Sequence, residues 1–215
     1  MKNLFKKLFK KKDSDKDILN WFNSGISIYC RDSNLNKEIA SQYYIGQIVR
    51  SDLSLDMSHV CGRLIKNTRY IIFSSKAANF YELSNDINPY LNTINFNSFF
   101  KVIDILDINI DSSYIVLLHI PKQGIGLFSN ETNRVFIPSI SDKPFETFLT
   151  DKAIEKIKSE NLEIIADLET DDWNKRTNWP VGFDDANKLN DIHNDFVLND
   201  KQQELSNIIS QLTSN

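Results

Sequence analysis

The side chains that could do chemistry are scattered along this chain. His59 and Cys61 are the closest pair, and on a β-strand two residues at that spacing share one face, where an imidazole can turn a thiol into a nucleophile. The sequence offers no obvious third group to orient the histidine. Cysteine is also among the most commonly buried residues, so ordinary packing is the alternative interpretation of this pair.

A second candidate constellation consists of carboxylates near a histidine. Asp104, Asp107 and Asp111, with His119 on the following strand, have the residue types of a metal-dependent hydrolase that activates water. Strand alternation places Asp104 and Asp107 on opposite faces, so they cannot share one ion. The chain also lacks a glycine-rich phosphate loop and the paired Cys and His spacing of structural zinc. We therefore predict no catalytic residue, no metal and no cofactor.

The most unusual local composition lies between residues 171 and 185, where two tryptophans, a phenylalanine and an arginine stand among four acids. Tryptophan and arginine dominate binding hot spots, and surrounding acids steer a basic partner. The alternative is that the aromatic side chains fasten a long connection onto the sheet while the acids stay solvated. The predicted partner-binding residues are Asp171, Asp172, Trp173, Arg176, Trp179, Asp184 and Asp185.

The charge distribution is uneven along the 215 residues. The formal net charge is −4, but six lysines stand in the first twelve residues, so residues 13–215 carry a net −10. Residues 151–215 account for −7 of that excess. An acidic body argues against direct nucleic-acid binding and favours a basic protein partner, such as a toxin.

Residues 1–12 are predicted to form a basic amphipathic arm in front of a single domain at 13–215. Leu4, Phe5, Leu8 and Phe9 fall on one helical arc, which would allow weak contact with an anionic membrane surface. A soluble terminus, or a helix docked on the acidic body, is the alternative.

The hydrophobic periodicity predicts an α+β fold. An antiparallel β-meander over about residues 60–140 is covered by helices before and after it. Two hairpins build this meander. The first joins 99–108 to 114–120, and the second joins 124–128 to 134–137.

Helical signals flank the meander. Asn34 or Asn36 caps a helix that reaches Ile48, and apolar spacing predicts a further helix from residue 145 to 157. Residues 162–166 read as a strand, and 186–197 read as a helix. A final helix begins at Asp200, where apolar residues recur at i, i+3, i+4 and i+7. Residues 141–215 form either part of the main core or an acidic helical sub-lobe.

The cellular setting is inferred from the cysteines and the apolar runs. Cys30 and Cys61 are too few for a disulfide framework, and no signal-like apolar run begins the sequence, so we expect a reducing interior. No apolar stretch approaches the roughly 18 residues of a membrane span. The expected location is the bacterial cytoplasm, with peripheral contact at the inner membrane surface through the arm.

These observations together predict a non-enzymatic protein-binding protein. We interpret it as an inhibitor of the immunity or antitoxin type, which occludes a basic partner with its acidic carboxy-terminal surface. The first alternative is a hydrolase built from Asp and His residues that the fold assembles. The second is a peripheral membrane adaptor that acts through the amino-terminal arm.

Overall fold

An eight-stranded sheet forms the centre of the computed structural model, which describes residues 21–22, 25–83, 87–109, 112–129, 144–159, 163–194 and 196–214. The strands are β1 (Ser27–Ser33), β2 (Ile48–Ser51), β3 (Leu55–Ser58), β4 (Thr68–Ser74), β5 (Ala78–Asn79), β6 (Leu91–Ile94), β7 (Ser98–Asn109) and β8 (Ser112–Ile120). Their spatial order is β2-β7-β8-β4-β1-β3-β6-β5. The mixed α+β class is therefore confirmed.

The pairing of the strands is mostly antiparallel. β1 lies inside the sheet and pairs with β4 along its full length, which sets Asp32 opposite Arg69. On its other side β1 pairs with β3. β4 and β8 are the exception, because they pair in parallel from Thr68 opposite Ser113 to Phe73 opposite Leu118.

The predicted meander over residues 60–140 is not the observed topology. β7 and β8 are sequence neighbours that pair as the predicted first hairpin, but β4 separates β8 from β1, and the sheet also takes in three strands before residue 60. Alternating or β-branched residues identify a strand by its own burial, whereas strand order depends on pairing between distant segments. The pattern could therefore indicate the strands but not their neighbours.

The structure describes five α-helices. They are α1 (Lys37–Ala40), α2 (Ile125–Phe128), α3 (Phe145–Ser159), α4 (Asp171–Thr177) and α5 (Asp200–Leu212), with 3-10 turns at Phe80–Glu82, Lys122–Gly124 and Ala166–Leu168. The predicted helices at 145–157 and from Asp200 are confirmed, and Asn36 is the cap of α1, where its side chain accepts from the Ile39 amide.

Four local predictions are wrong. The helix at Asn36 ends at Ala40, residues 124–128 are helical rather than a strand, residues 163–166 lie outside any strand, and 186–194 form turns rather than a helix. Short apolar runs fit both periods, so tertiary packing decides between them. The second half of the second hairpin, 134–137, lies outside the described residues.

Both faces of the sheet are buried. Along β4, Tyr70 and Ile72 enter one apolar cluster with Phe100 on β7, whereas Ile71 and Phe73 enter the other. The second cluster also takes Phe145, Leu149 and Ala153 of α3. Burial on both faces explains why β4 reads as a continuous apolar run. None of the described helices is long and apolar enough to cross a membrane.

Candidate functional site

A cleft of about 1050 Å³ lies beside the end of β1. One wall is the irregular segment 61–66, which precedes β4, and the other is the stretch from Glu169 to Trp179, which contains α4. We call it the β1 cleft, because the residues at the end of β1 hold both walls. Its size suits a small organic ligand, since ligand pockets commonly measure about 300–1,000 Å³.

The 61–66 segment is fixed by a buried ion pair. The guanidinium of Arg69 donates to Asp32 from Nε at 2.6 Å and from Nη2 at 2.7 Å, and it also donates to the carbonyls of Gly62 and Arg63. The second carboxylate oxygen of Asp32 accepts from the Ile65 amide at 3.3 Å. A forked, charge-assisted pair of this kind fixes geometry as well as charge, so the segment has a defined position without strand pairing.

The opposite wall is fastened through α4. Thr170 caps the helix by accepting from the Trp173 amide, and the Trp173 indole is buried, with 5 % of its surface exposed. At the other end of α4, Ser33 at the end of β1 donates from Oγ to the Thr177 carbonyl at 2.5 Å. Burial of Trp173 and this contact hold the helix against β1.

The residues after α4 present an aromatic side chain to the cleft. Arg31 donates from Nη2 to the Trp179 carbonyl at 3.1 Å, and the Asn34 amide donates to Asn178 Oδ1 at 3.1 Å. The main chain at Trp179 is therefore held while its side chain stays 47 % exposed. A half-exposed indole on a held main chain is suited to stacking against a flat ring.

Arg31 is itself unusual, because its charge is fully buried. It donates from Nη1 to the Asp56 carbonyl, whereas Nε has no hydrogen-bond partner among the described residues. Burial lowers the pKa of Arg31 to about 10, although the nearby charge of Asp56 acts in the opposite direction. The positive charge is thus poorly compensated behind the Trp179 peptide.

Three cations line the cleft, namely Arg63, Lys66 and Lys175, and none of them makes an ion pair with a residue that the structure describes. Lys66 donates only to neutral oxygens, at 3.3 and 3.4 Å, and burial together with the charge of Arg31 lowers its pKa. Arg176 behaves differently, because it pairs with Asp172 at 2.8 Å. The cleft therefore keeps uncompensated positive charge that an anion could neutralise.

Two carboxylates share the cleft with these cations. Asp171 is exposed in the first turn of α4, and Glu169 stands at the base of the second wall. The Oε1 atom of Glu169 is buried and has no hydrogen-bond partner within the described part of the chain. Amide side chains of Asn34, Asn174 and Asn178 add further donors and acceptors.

The predicted partner-binding residues do not all meet at the cleft. Asp171 and Trp179 line it, whereas Trp173 is core, and Asp172 and Arg176 pair with each other on the exposed side of α4. The remaining two predicted residues, Asp184 and Asp185, are exposed in a later turn, where Asp184 Oδ1 accepts from the amides of residues 186 and 188. Their role in partner binding stays a prediction.

His59, Cys61 and His119 do not line the cleft. Cys61 forms a disulfide with Cys30, so it is not the free thiol that the nucleophile interpretation requires. His59 is hydrogen-bonded to Asn92 at 3.1 Å. His119 is buried against Phe100, and burial lowers its pKa to about 3.

The hydrolase interpretation also lacks its carboxylates. No group of three metal-ligating side chains occurs among the residues that the structure describes, and Asp111 lies outside them. His119 bonds to Ser74 Oγ at 2.9 Å in the core rather than facing a carboxylate. The membrane-contact residues Leu4, Phe5, Leu8 and Phe9 also lie outside the described residues.

Sequence reasoning missed Arg63, Lys66 and Glu169 as functional residues. They come from two segments about a hundred residues apart, and single charged residues in loops are normally solvated surface. The unusual composition of residues 171–185, which include Asp171, Lys175 and Trp179, is the signal that pointed to this place.

Comparison with family models and with curated proteins finds no match. Among solved structures, the fold is similar to the type III effector XopAI of Xanthomonas axonopodis pv. citri (11% identity, 47% of this chain, 44% of that chain, TM-score 0.39). It is also similar to the ADP-ribosyltransferase HopU1 of Pseudomonas syringae pv. Tomato (13%, 45%, 45%, 0.40). Exoenzyme S of Pseudomonas aeruginosa, solved with human 14-3-3 protein beta and carba-NAD, matches at 13% identity over 63% of this chain and 64% of that one, with a TM-score of 0.41.

These findings overturn the predicted function. The similar structures are effectors, exoenzymes and ADP-ribosyltransferases, so the prediction of a non-enzymatic inhibitor of the immunity or antitoxin type is wrong. The matched region spans less than two thirds of each chain named here, and at TM-scores near 0.4 the likeness carries no argument for a particular activity.

Proposed function

We propose that this chain is an enzyme that binds a nucleotide-type ligand in the β1 cleft. The single observation that carries the proposal is the composition of the cleft, which combines a half-exposed, positioned Trp179 with three cations that lack ion pairs among the described residues. A base can stack on the indole while phosphates neutralise Arg63, Lys66 and Lys175.

Two further features favour a nucleotide over a simple anion. The carboxylates of Glu169 and Asp171 line the cleft and can accept hydrogen bonds from the hydroxyls of a ribose, and the neighbouring asparagines can bond to polar ring edges. The poorly compensated charge of Arg31 behind Trp179 adds positive potential to the same wall. The ligand class therefore has a flat ring, hydroxyls and negative charge.

The reaction proposed for testing is transfer of ADP-ribose from NAD. It is chosen because its donor has the chemistry that the cleft admits, and because HopU1, one of the structurally similar proteins, is an ADP-ribosyltransferase. The support for the proposal is the cleft of this chain. The activity assay described below tests for an acceptor of the ADP-ribosyl group.

The binding test is a calorimetric titration of the purified chain with ADP, ADP-ribose and NAD. We expect Trp179→Ala to weaken binding about 5- to 150-fold, since stacking of a base on an aromatic side chain is worth about 1–3 kcal/mol. Lys66→Gln should also weaken binding and reduce its salt dependence. Arg176→Gln is the matched control, because Arg176 is a cation on α4 that already has carboxylate partners.

The activity test follows release of nicotinamide from NAD, with and without a cell lysate as a source of acceptors. Saturable binding without nicotinamide release would support the nucleotide site and refute the proposal that the chain transfers ADP-ribose from NAD. Equal affinity of Trp179→Ala and the unmodified chain, or no binding of any of the three ligands at millimolar concentration, would refute the site.

A further inference from the structure

A disulfide stands at the start of one cleft wall. Cys30 on β1 is bonded to Cys61, with their Cα atoms 5.7 Å apart, and both side chains are nearly fully buried. Cys61 is two residues before Arg63, the first cation of the cleft. The bridge is therefore a direct covalent tie between the sheet and the 61–66 segment.

The other contacts that hold this segment are non-covalent, and they include the hydrogen bonds from the Arg69 guanidinium to the carbonyls of Gly62 and Arg63. The Arg63 amide donates to the Glu163 carbonyl at 3.0 Å, and Asp32, two residues after Cys30 on the same face of β1, accepts from the amide of Ile65. The backbone carbonyl of Asp32 also accepts from Lys66 Nζ at 3.3 Å. Without the bridge, the positions of Arg63 and Lys66, the two cleft cations on this segment, would depend on these weaker contacts.

The bridge and the cleft share a boundary. A small cavity of about 20 Å³ borders both cysteines, and two residues that line it, Arg63 and Glu169, also line the cleft. This cavity is about the size of one water molecule, so a reductant reaches the sulfurs only if the residues around the cavity move. Arg63 and Ile65 of the 61–66 segment are among those residues, so movement of this cleft wall opens a route to the bridge.

We propose that the Cys30–Cys61 bridge is a redox control on the β1 cleft, an inference that rests on the proposed ligand site. With the bridge formed, the 61–66 segment holds its cations in place and the ligand binds. With the bridge reduced, only the hydrogen bonds of Arg69, Asp32 and Glu163 hold the segment, so it opens more often and the affinity falls.

The chemistry is ordinary thiol–disulfide exchange with a dithiol reductant. One thiolate of the dithiol attacks a protein sulfur and displaces the other as a thiolate, which takes up a proton. The second thiolate of the reductant then resolves the mixed disulfide, releases the remaining cysteine and closes the oxidised reductant. Two electrons and two protons pass to the protein, which ends with two thiols.

The first test needs no ligand. Hydrogen exchange is measured on the oxidised chain and on the chain reduced with dithiothreitol, and we expect faster exchange at the amides of Arg63 and Ile65 but unchanged protection of Ile71 and Ile72 on β4. Equal exchange in the two states would overturn the inference. Loss of protection throughout β4 would also overturn it, since the bridge would then be a global support rather than a local control.

The second test adds ADP as the probe. We expect reduction to weaken its binding about fivefold or more, and by reciprocity saturating ADP should shift the thiol–disulfide equilibrium toward the bridge by the same factor. The Cys30→Ser/Cys61→Ser variant is the control, because dithiothreitol should leave its affinity unchanged. Unchanged ADP affinity of the wild-type chain on reduction would overturn the redox control. If ADP fails to bind the oxidised chain, the proposed function fails, while the exchange measurement still reports on the bridge.

Discussion

Gly182, three residues after Trp179, connects the cleft wall to the core, and its replacement gives a quantitative test of how the wall is held. Its φ of +92° lies in the region that L-residues rarely adopt. A Cβ at this position would also stand 2.6 Å from Val49 Cβ on β2, where the Val49 side chain is 1 % exposed. Gly182→Ala should therefore be destabilising for two separate reasons, the strained backbone conformation and the close contact with Val49.

The two costs can be estimated independently. A left-handed conformation costs a non-glycine residue about 1–2 kcal/mol, and overpacking a core typically costs about 1–3 kcal/mol. We expect Gly182→Ala to lower the free energy of unfolding by about 2–5 kcal/mol, measured by urea denaturation with a two-state fit. Trp179 should also lose its fixed place, so the weakening of ADP binding should accompany the loss of stability.

Substitutions at two other glycines allow the conformational cost and the packing cost to be measured separately. Gly46 has a φ of +89° and no atom within 4 Å of a built Cβ, so Gly46→Ala carries the conformational cost alone. Gly126 has ordinary φ and open space, so Gly126→Ala should change stability little. In a double-mutant cycle, Val49→Ala should relieve the cost of Gly182→Ala only in part, because it removes the Cγ contacts at 3.0 and 3.4 Å but keeps the Val49 Cβ at 2.6 Å. If Gly182→Ala costs no more than Gly46→Ala, the close approach to Val49 is not a constraint and the reasoning is refuted.

Two further predictions concern buried charge. The pKa of His119 falls from an ordinary 6.5 to about 3, so its contribution to stability is complete above pH 6.5 and is lost as the pH falls from 6.5 toward 3. The stability difference between wild type and His119→Asn should therefore shrink by up to about 1.4 kcal/mol per pH unit in urea titrations from pH 6 to 4; parallel curves would contradict it. Arg50, with 5 % of its side chain exposed, pairs with Asp52 at 2.6 Å, so Asp52→Asn should cost about 2 kcal/mol in the same assay. Asp172→Asn at the exposed Arg176 pair should cost under about 1 kcal/mol, and equal losses would contradict the role of burial.

The helices were predictable where their signals are local. In α5 the apolar residues repeat at helical spacing, and Asn199 forms a capping box with Gln202, so nearby residues alone determine the element. The run at 124–128 was not predictable, because five residues fit either a strand or a helix. Neither the sequence of β4 nor that of β8 predicts that the two strands pair in parallel.

The candidate site was predictable only in the stretch that holds Asp171 and Trp179. Its unusual composition indicated a binding surface, and the predicted basic protein partner stays a prediction, while three cations line the same cleft. Arg63 and Lys66 lie in the cleft because Asp32 on β1 faces Arg69 on β4, and this ion pair positions the 61–66 segment. Such a register depends on contacts between distant segments, which no local window contains.

The two walls of the β1 cleft have a consequence for biosynthesis. Strands β1, β4 and β8 can pair once residue 120 has left the ribosome, whereas the second wall is not synthesised until Trp179. Because segments become available in the order of translation, the nascent chain holds a sheet before it holds a binding site. A chain stopped between these two points would carry Asp32 with its partner Arg69, but Arg31 without the Trp179 carbonyl and Ser33 without the Thr177 carbonyl.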